Sequence, residues 1–249
     1  MLIDTHCHIN SLNDEERKAF DEKALPSEYR FIDVSIDIES SKKSLDIVQK
    51  NPHLYSAIGF HPFSIESFAE DTISRYEEII GNNDKIVAVG EIGLDFTAKF
   101  STHDQVRILK QFIALAQKFS KPIIVHNRFN VPMIFSVLDE YYEDYEKIVF
   151  HCFSQDEIFL KRVVNKRGYA SFSLNVLRKK REILNSLRMI PLDRLLLETD
   201  SPYMQIRNER SSPLDIDKVY AFAADIKQID IGQLAEKVSE NVRNVFGIE

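Results

Sequence analysis

Ile86-Val87-Ala88-Val89-Gly90-Glu91 is a run of β-branched and small apolar residues that ends on a carboxylate. An unbroken apolar run of this length reads as a strand covered on both faces, as in a parallel sheet. The same design returns along the chain. Ile123-Ile124-Val125 ends on His126, Ile148-Val149-Phe150 on His151, and Leu195 to Thr199 on Asp200. Leu2 to Thr5 runs into His6-Cys7-His8. Three further strands are expected at Phe31 to Ser35, Leu54 to Gly59 and Tyr169 to Phe172. Between the strands lie segments of helical periodicity. One is expected from about Asp104 to Phe119, where Val106, Leu109, Ile113 and Ala116 share a face. Thr102 with Gln105, and Ser154 with Glu157, have the spacing of capping boxes. Two more helices are expected at Leu214 to Ile226 and Ile231 to Phe246.

Strands that alternate with helices predict an α/β protein with a parallel sheet. An eight-stranded (β/α)8 TIM barrel is favoured over a doubly wound open sheet, because polar residues close several different strands. Barrel active sites gather at the C-terminal ends of many strands, whereas open sheets concentrate theirs at one switch point. The 249 residues suit one barrel domain spanning 1–249.

His6 and His8 alternate on one strand, so they face the same side. With Glu91, His126, His151 and Asp200 they would converge on one barrel mouth. Taken one at a time, each residue reads equally as a polar cap on a turn. Taken together, two carboxylates and four imidazoles crowded without a cation would be costly. The donors are nitrogen and oxygen only, which suits zinc, manganese, nickel or iron, and magnesium less naturally. Six ligands exceed what one catalytic ion with an open position needs. They suit two divalent metal ions bridged by Glu91, an arrangement that activates water.

Other residues carry two readings. His61, before Pro62, is a site residue that protonates a leaving group or contacts phosphate, or else a turn histidine. Arg128 is a phosphate grip or a solvated loop arginine. Asp95 orients a ligand or caps a loop. Arg178-Lys179-Lys180-Arg181 guides a nucleic acid or is a solvated face. Cys7 and Cys152, by strand alternation, turn away from the barrel centre into packing. His53 and His103 read as structural or exposed.

Composition narrows the class. The net charge of -7 argues against a generally basic nucleic-acid-binding surface, yet bound cations can supply positive charge locally. Two cysteines exclude a disulfide framework and point to a reducing cytoplasm. No apolar run approaches the roughly 20 residues that span a bilayer. The first residues do not read as a secretory signal.

The ordered motifs Asp4-Thr5-His6-Cys7-His8, Gly59-Phe60-His61-Pro62, Gly90-Glu91-Ile92-Gly93-Leu94-Asp95, His126-Asn127-Arg128, His151-Cys152-Phe153 and Glu198-Thr199-Asp200-Ser201-Pro202-Tyr203 closely resemble those of the TatD-type metal-dependent DNases. The resemblance runs from the first strand to Asn241 to Phe246. It implies an amidohydrolase-like TIM barrel and a divalent-metal-dependent deoxyribonuclease, often exonucleolytic. His6, His8 and Asp200 would hold one ion, His126 and His151 the other, and Glu91 would bridge. Asp200 would orient the attacking water and accept its proton. The substrate would be DNA; since a chain of charge -7 can grip it only through local cations, and a strand end needs few such contacts, single-stranded or frayed ends are expected over intact duplex. The chain departs from the family pattern at Asn127-Arg128-Phe129-Asn130, at Leu174 after Ser171-Phe172-Ser173, and at Met204 to Arg210. The same chemistry could serve an ester or amide, such as an aminoacyl-tRNA linkage. A metal-bound scaffold in a larger assembly is the non-catalytic alternative.

Overall fold

The computed structural model describes residues 1–23, 29–128, 133–206 and 208–248. Phe129, Asn130 and Arg207, named above as departures from the family pattern, lie outside them. Eight strands form one all-parallel sheet in sequential order: β1 (Leu2–Cys7), β2 (Tyr29–Val34), β3 (Leu54–Ile58), β4 (Ile86–Asp95), β5 (Ile123–Arg128), β6 (Ile148–Phe150), β7 (Tyr169–Phe172) and β8 (Leu195–Leu197). Helices α1 (Asp14–Glu22), α2 (Ile38–Val48), α3 (Thr72–Gly81), α4 (Thr102–Lys118), α5 (Met133–Leu138), α6 (Glu157–Asn165) and α7 (Arg181–Met189) occupy the crossovers. After β8 come a short antiparallel pair, β9 (Gln205–Ile206) and β10 (Glu209–Arg210), and then α8 (Ile216–Lys227) and α9 (Ile231–Phe246). This is the (β/α)8 TIM barrel.

The sheet curls until β1 meets β8, and polar groups close that seam. The Thr5 hydroxyl donates to the Leu197 carbonyl at 3.1 Å. Asp4 accepts from the Thr199 N–H at 2.9 Å and from its hydroxyl at 2.6 Å. Asp200 N–H donates to the His6 carbonyl at 2.9 Å, and His8 N–H to the Ser201 carbonyl at 2.7 Å. These bonds hold the first and last of the expected ligand motifs against each other. The last two helices lock the base of the same seam. On α8, the Tyr220 hydroxyl pairs with both Ile3 N–H and Ile3 C=O. On α9, Asn241 donates to the carbonyls of Leu192 and Leu195 at 2.7 and 2.8 Å.

The strands are covered by helices outside and by one another's side chains inside. Every residue of β4 is buried, which explains its continuous apolar run. β4 outlasts the expected end at Glu91 by four residues and reaches Asp95. Its pairing with β5 shifts between Val89 and Ile92, and this irregularity lets Glu91 enter the mouth partway along the strand. Beyond it, Gly93 pairs with His126, and a Cβ on Gly93 would stand 1.8 Å from the His126 carbonyl oxygen. Only glycine permits that approach.

Both expected capping boxes are displaced. Ser101, not Thr102, caps α4 by accepting from Asp104 N–H, and Gln105 reaches back to Asp95 N–H and C=O. Asp156, not Ser154, caps α6 by accepting from Phe159 N–H. A true cap needs extended backbone at the start of the helix, which sequence spacing alone does not reveal.

Candidate metal centre

The six expected ligands meet at the C-terminal mouth of the barrel. His6 lies near the end of β1 and His8 just beyond it. Their Nε2 atoms are 3.1 Å apart. Glu91 stands between two histidine pairs and turns one oxygen to each. Its Oε1 lies 2.7 Å from both His126 Nδ1 and His151 Nε2. Its Oε2 lies 3.5 Å from His6 Nε2 and 3.8 Å from His8 Nε2. Asp200 Oδ1 faces the first pair, at 3.9 Å from His6 and 3.5 Å from His8. His151 follows β6 rather than ending it, and Asp200 follows β8 in a turn with a left-handed backbone, φ 56.

The far side of two imidazoles is held. His8 Nδ1 donates to the Val34 carbonyl at 2.9 Å, which leaves Nε2 a bare lone pair toward the site. His126 Nε2 donates to Asp95 Oδ2 at 2.9 Å and so presents a bare Nδ1. His151 Nδ1 lies 3.5 Å from Glu198 Oε1 but makes no hydrogen bond. Asp95 therefore combines both expected readings: Oδ2 orients His126, while Oδ1 caps the loop by accepting from the Thr97 N–H and hydroxyl. His6 stacks flat on His151, with ring centroids 4.0 Å apart.

Lone pairs converging on carboxylate oxygens at these distances repel unless positive charge sits among them. The electrostatics show the demand. Burial alone would raise the Glu91 carboxyl, but the charge of His151 and the hydrogen bonds from His126 and His151 overcome it and hold Glu91 well below its usual range. Burial would lower His151, yet Glu91 and Glu198 lift it well above the ordinary imidazole value. Protons can supply this charge, and so can divalent cations. The nitrogen and oxygen donors, grouped as His6–His8–Glu91, His6–His151–Asp200 and Glu91–His126–His151, fit cations of the zinc and manganese class.

His61 also reaches the centre. It caps a short 3-10 helix, Pro62–Ser67, through Nδ1, which accepts from Phe63 N–H at 3.1 Å. Its Nε2 therefore carries the hydrogen and faces Glu91 Oε1 at 3.5 Å. Burial pushes this histidine down to about 3, so it stays neutral. Around the centre opens a cavity of about 670 Å³, bordered also by Asn127, Arg128, Asn175, Arg178, Lys180 and Tyr203. Of the basic run, Arg178 and Lys180 border this cavity, while Arg181 starts α7 beside Asp156 and Glu157.

Two cysteine expectations part ways. Cys7 is buried and its thiol donates to the Ile32 carbonyl. Cys152 does not turn away: it borders the cavity, with Sγ 3.2 Å from Ser173 Oγ. β6 stops at Phe150 and Cys152 has φ 42, so strand alternation no longer governs it. His53 Nδ1 contacts Arg30 at 2.9 Å, and His103 is exposed on α4. Sequence reasoning passed over Glu198, whose Oε1 accepts Cys152 N–H at 2.6 Å beneath His151. The signal was its position two residues before Asp200, on the same side of an extended segment.

A TIM barrel with histidines and carboxylates clustered at its C-terminal mouth defines the chain as a metal-dependent hydrolase. It belongs to the TatD related DNase family, whose sequence model matches residues 3–247. The chain is 29% identical to the uncharacterized metal-dependent hydrolase YabD of Bacillus subtilis, with 100% of both chains covered. It is 27% identical to the 3'-5' ssDNA/RNA exonuclease TatD of Escherichia fergusonii, covering 85% of each. Among solved structures, the TatD homologue YJJV of Escherichia coli K12 shares the fold, with a TM-score of 0.89 at 23% identity, over 100% of this chain and 98% of that one. Among the described residues, no helix is long and apolar enough to cross a membrane.

Proposed function

We propose that this hydrolase cleaves phosphodiester bonds of DNA from single-stranded or frayed ends, with two divalent ions held by His6, His8, Glu91, His126, His151 and Asp200. The observation that carries the reading is the split of Glu91: Oε1 serves His126 and His151, while Oε2 serves His6 and His8. One carboxylate between two imidazole pairs suits a bridge between two ions. The ions when bound would acidify a water and neutralise charge growing on phosphate oxygens.

The chain's own groups divide the remaining work. Asp200 orients the attacking water and takes its proton. His61, with its hydrogen on Nε2, contacts a phosphate oxygen as a hydrogen-bond donor. Arg128, exposed at the cavity rim, grips a phosphate, with Arg178 and Lys180 offering charge to its neighbours. Residues 1–249 act as one hydrolase domain in the cytoplasm, where Cys7 and Cys152 stay as free thiols. The exonuclease relative supports both nucleic acid and an end preference.

The test is hydrolysis by manganese-, zinc- or magnesium-supplemented protein of single-stranded DNA, duplex DNA, RNA and an aminoacyl ester. Rapid cleavage of free-ended single strands is expected. Turnover of the ester alone would replace DNA with the acyl substrate, and no turnover of any would leave the scaffold reading.

A further inference from the structure

Single exposed apolar side chains are ordinary, but grouped ones mark binding surfaces, and here the exposed rings gather at one end of the barrel. Among the described residues, the strongly exposed aromatic side chains are Phe63 at 52%, Phe96 at 55% and Tyr203 at 52%. All three follow barrel strands at the mouth: Phe63 after β3, Phe96 directly after β4 and Tyr203 after β8. Phe63 and Tyr203 border the central cavity. Each stands beside a histidine of the centre: the Phe63 ring is 5.0 Å from His61, and the Tyr203 ring is 4.8 Å from His8 at 70°. The Tyr203 hydroxyl donates to Ser11 Oγ at 3.2 Å, which fixes the ring while leaving it exposed. Near Phe96, the Arg128 guanidinium lies 6.0 Å from the ring centroid.

Cations complete the rim. Arg128, Arg178 and Lys180 border the same cavity, although the chain as a whole carries -7. Rings and cations gathered at one mouth match a polymer of flat apolar groups joined by anions. Sequence-tolerant single-strand binding uses this pairing, with bases stacked on aromatic faces and the backbone in a positive groove. A duplex hides its base faces in its own stack, and a peptide lacks the regular anions.

We propose that Phe63 and Tyr203 form stacking platforms on either side of the metal centre, seating unpaired bases that flank the bond to be cleaved. The inference rests on the nucleic-acid reading above and adds the groups that hold such a substrate: two ring faces on which splayed-out bases stack. Phe96, with Arg128 over it, extends the platform along the strand.

The chain has no tryptophan, so Phe63→Trp or Tyr203→Trp places a single reporter at each position. Manganese-supplemented protein is mixed in a stopped-flow instrument with a ten-nucleotide thymidine strand, with an abasic deoxyribose-phosphate strand of equal charge, and with a duplex of equal length. Rapid quenching by the thymidine strand, ahead of cleavage, is expected, with none from the other two. Phe63→Ala and Tyr203→Ala should each weaken thymidine-strand binding by about 5- to 150-fold and leave abasic binding within about twofold. A fall in both would mark a structural effect and overturn the platform, as would equal binding of the thymidine and abasic strands or quenching by duplex. Product release in the same mixtures separates the two claims. Quenching without hydrolysis keeps the platform and overturns the nuclease reading, whereas hydrolysis without base-dependent binding does the reverse.

Discussion

Replacing Asp95 with Asn tests how the centre sets its donors. Asp95 Oδ1 accepts from Thr97 N–H at 2.7 Å and from the Thr97 hydroxyl at 2.6 Å, while Oδ2 accepts from His126 Nε2 at 2.9 Å. An Asn carboxamide has one acceptor end. If it keeps the two Thr97 bonds, its NH₂ group must face His126. The imidazole then accepts at Nε2 and moves its hydrogen to Nδ1, the nitrogen that points at Glu91 Oε1 from 2.7 Å. A protonated Nδ1 cannot bind a cation, so the ring must either break the new bond or give up its ligand role. Losing such an orienting partner typically lowers metal affinity or activity by about 10- to 100-fold. That corresponds to about 1.4–2.7 kcal/mol. Competition against a chelator should show the weakened site, and thermal melting without added metal should shift little. Unchanged manganese or zinc affinity in Asp95→Asn would refute the claim that Asp95 fixes the His126 tautomer.

Other outcomes follow from the same geometry. Glu91→Gln should reduce turnover by at least about 100-fold at equal metal loading, with a much smaller change in melting, because a neutral amide bridges cations poorly; near-normal turnover would remove Glu91 as the bridge. Arg128→Ala should raise KM or lower kcat on DNA. Lys180→Ala, whose side chain borders the cavity, should flatten the salt dependence of binding by about one charge, and Lys179→Ala should do less. Equal salt slopes for the two lysine variants would argue that position at the rim is irrelevant. Asn241→Leu strands the Leu192 and Leu195 carbonyls and should cost about 1–3 kcal/mol in denaturant melts, with metal binding retained.

The sequence made the barrel and the cluster of six residues at its mouth legible because both depend on local patterning. A strand such as Ile123 to Val125 announces itself by composition, and the polar residue that follows marks the mouth. What stayed hidden depends on backbone direction past the strand ends. Strand alternation assigned Cys152 to the outside, but β6 had already ended and the left-handed residue turned the chain into the cavity. The caps of α4 and α6 lay one and two residues from their expected places, since a polar residue at the right spacing caps only if its own backbone is extended. Glu198 was visible as a residue but not as a partner, because its role depends on the distance between β8 and the turn after β6. The aromatic rim had no sequence signal at all. Phe63 and Tyr203 look like any core aromatic until their exposure is known.

The central claim is that Glu91 joins two cation sites. The most direct measurement is an anomalous difference map from crystals of the protein grown with manganese, recorded at the manganese edge. Two peaks are predicted: one among His6, His8 and Asp200, the other between His126 and His151, with Glu91 in contact with both. A single peak at full metal saturation, or peaks that leave Glu91 without contact, would contradict the account.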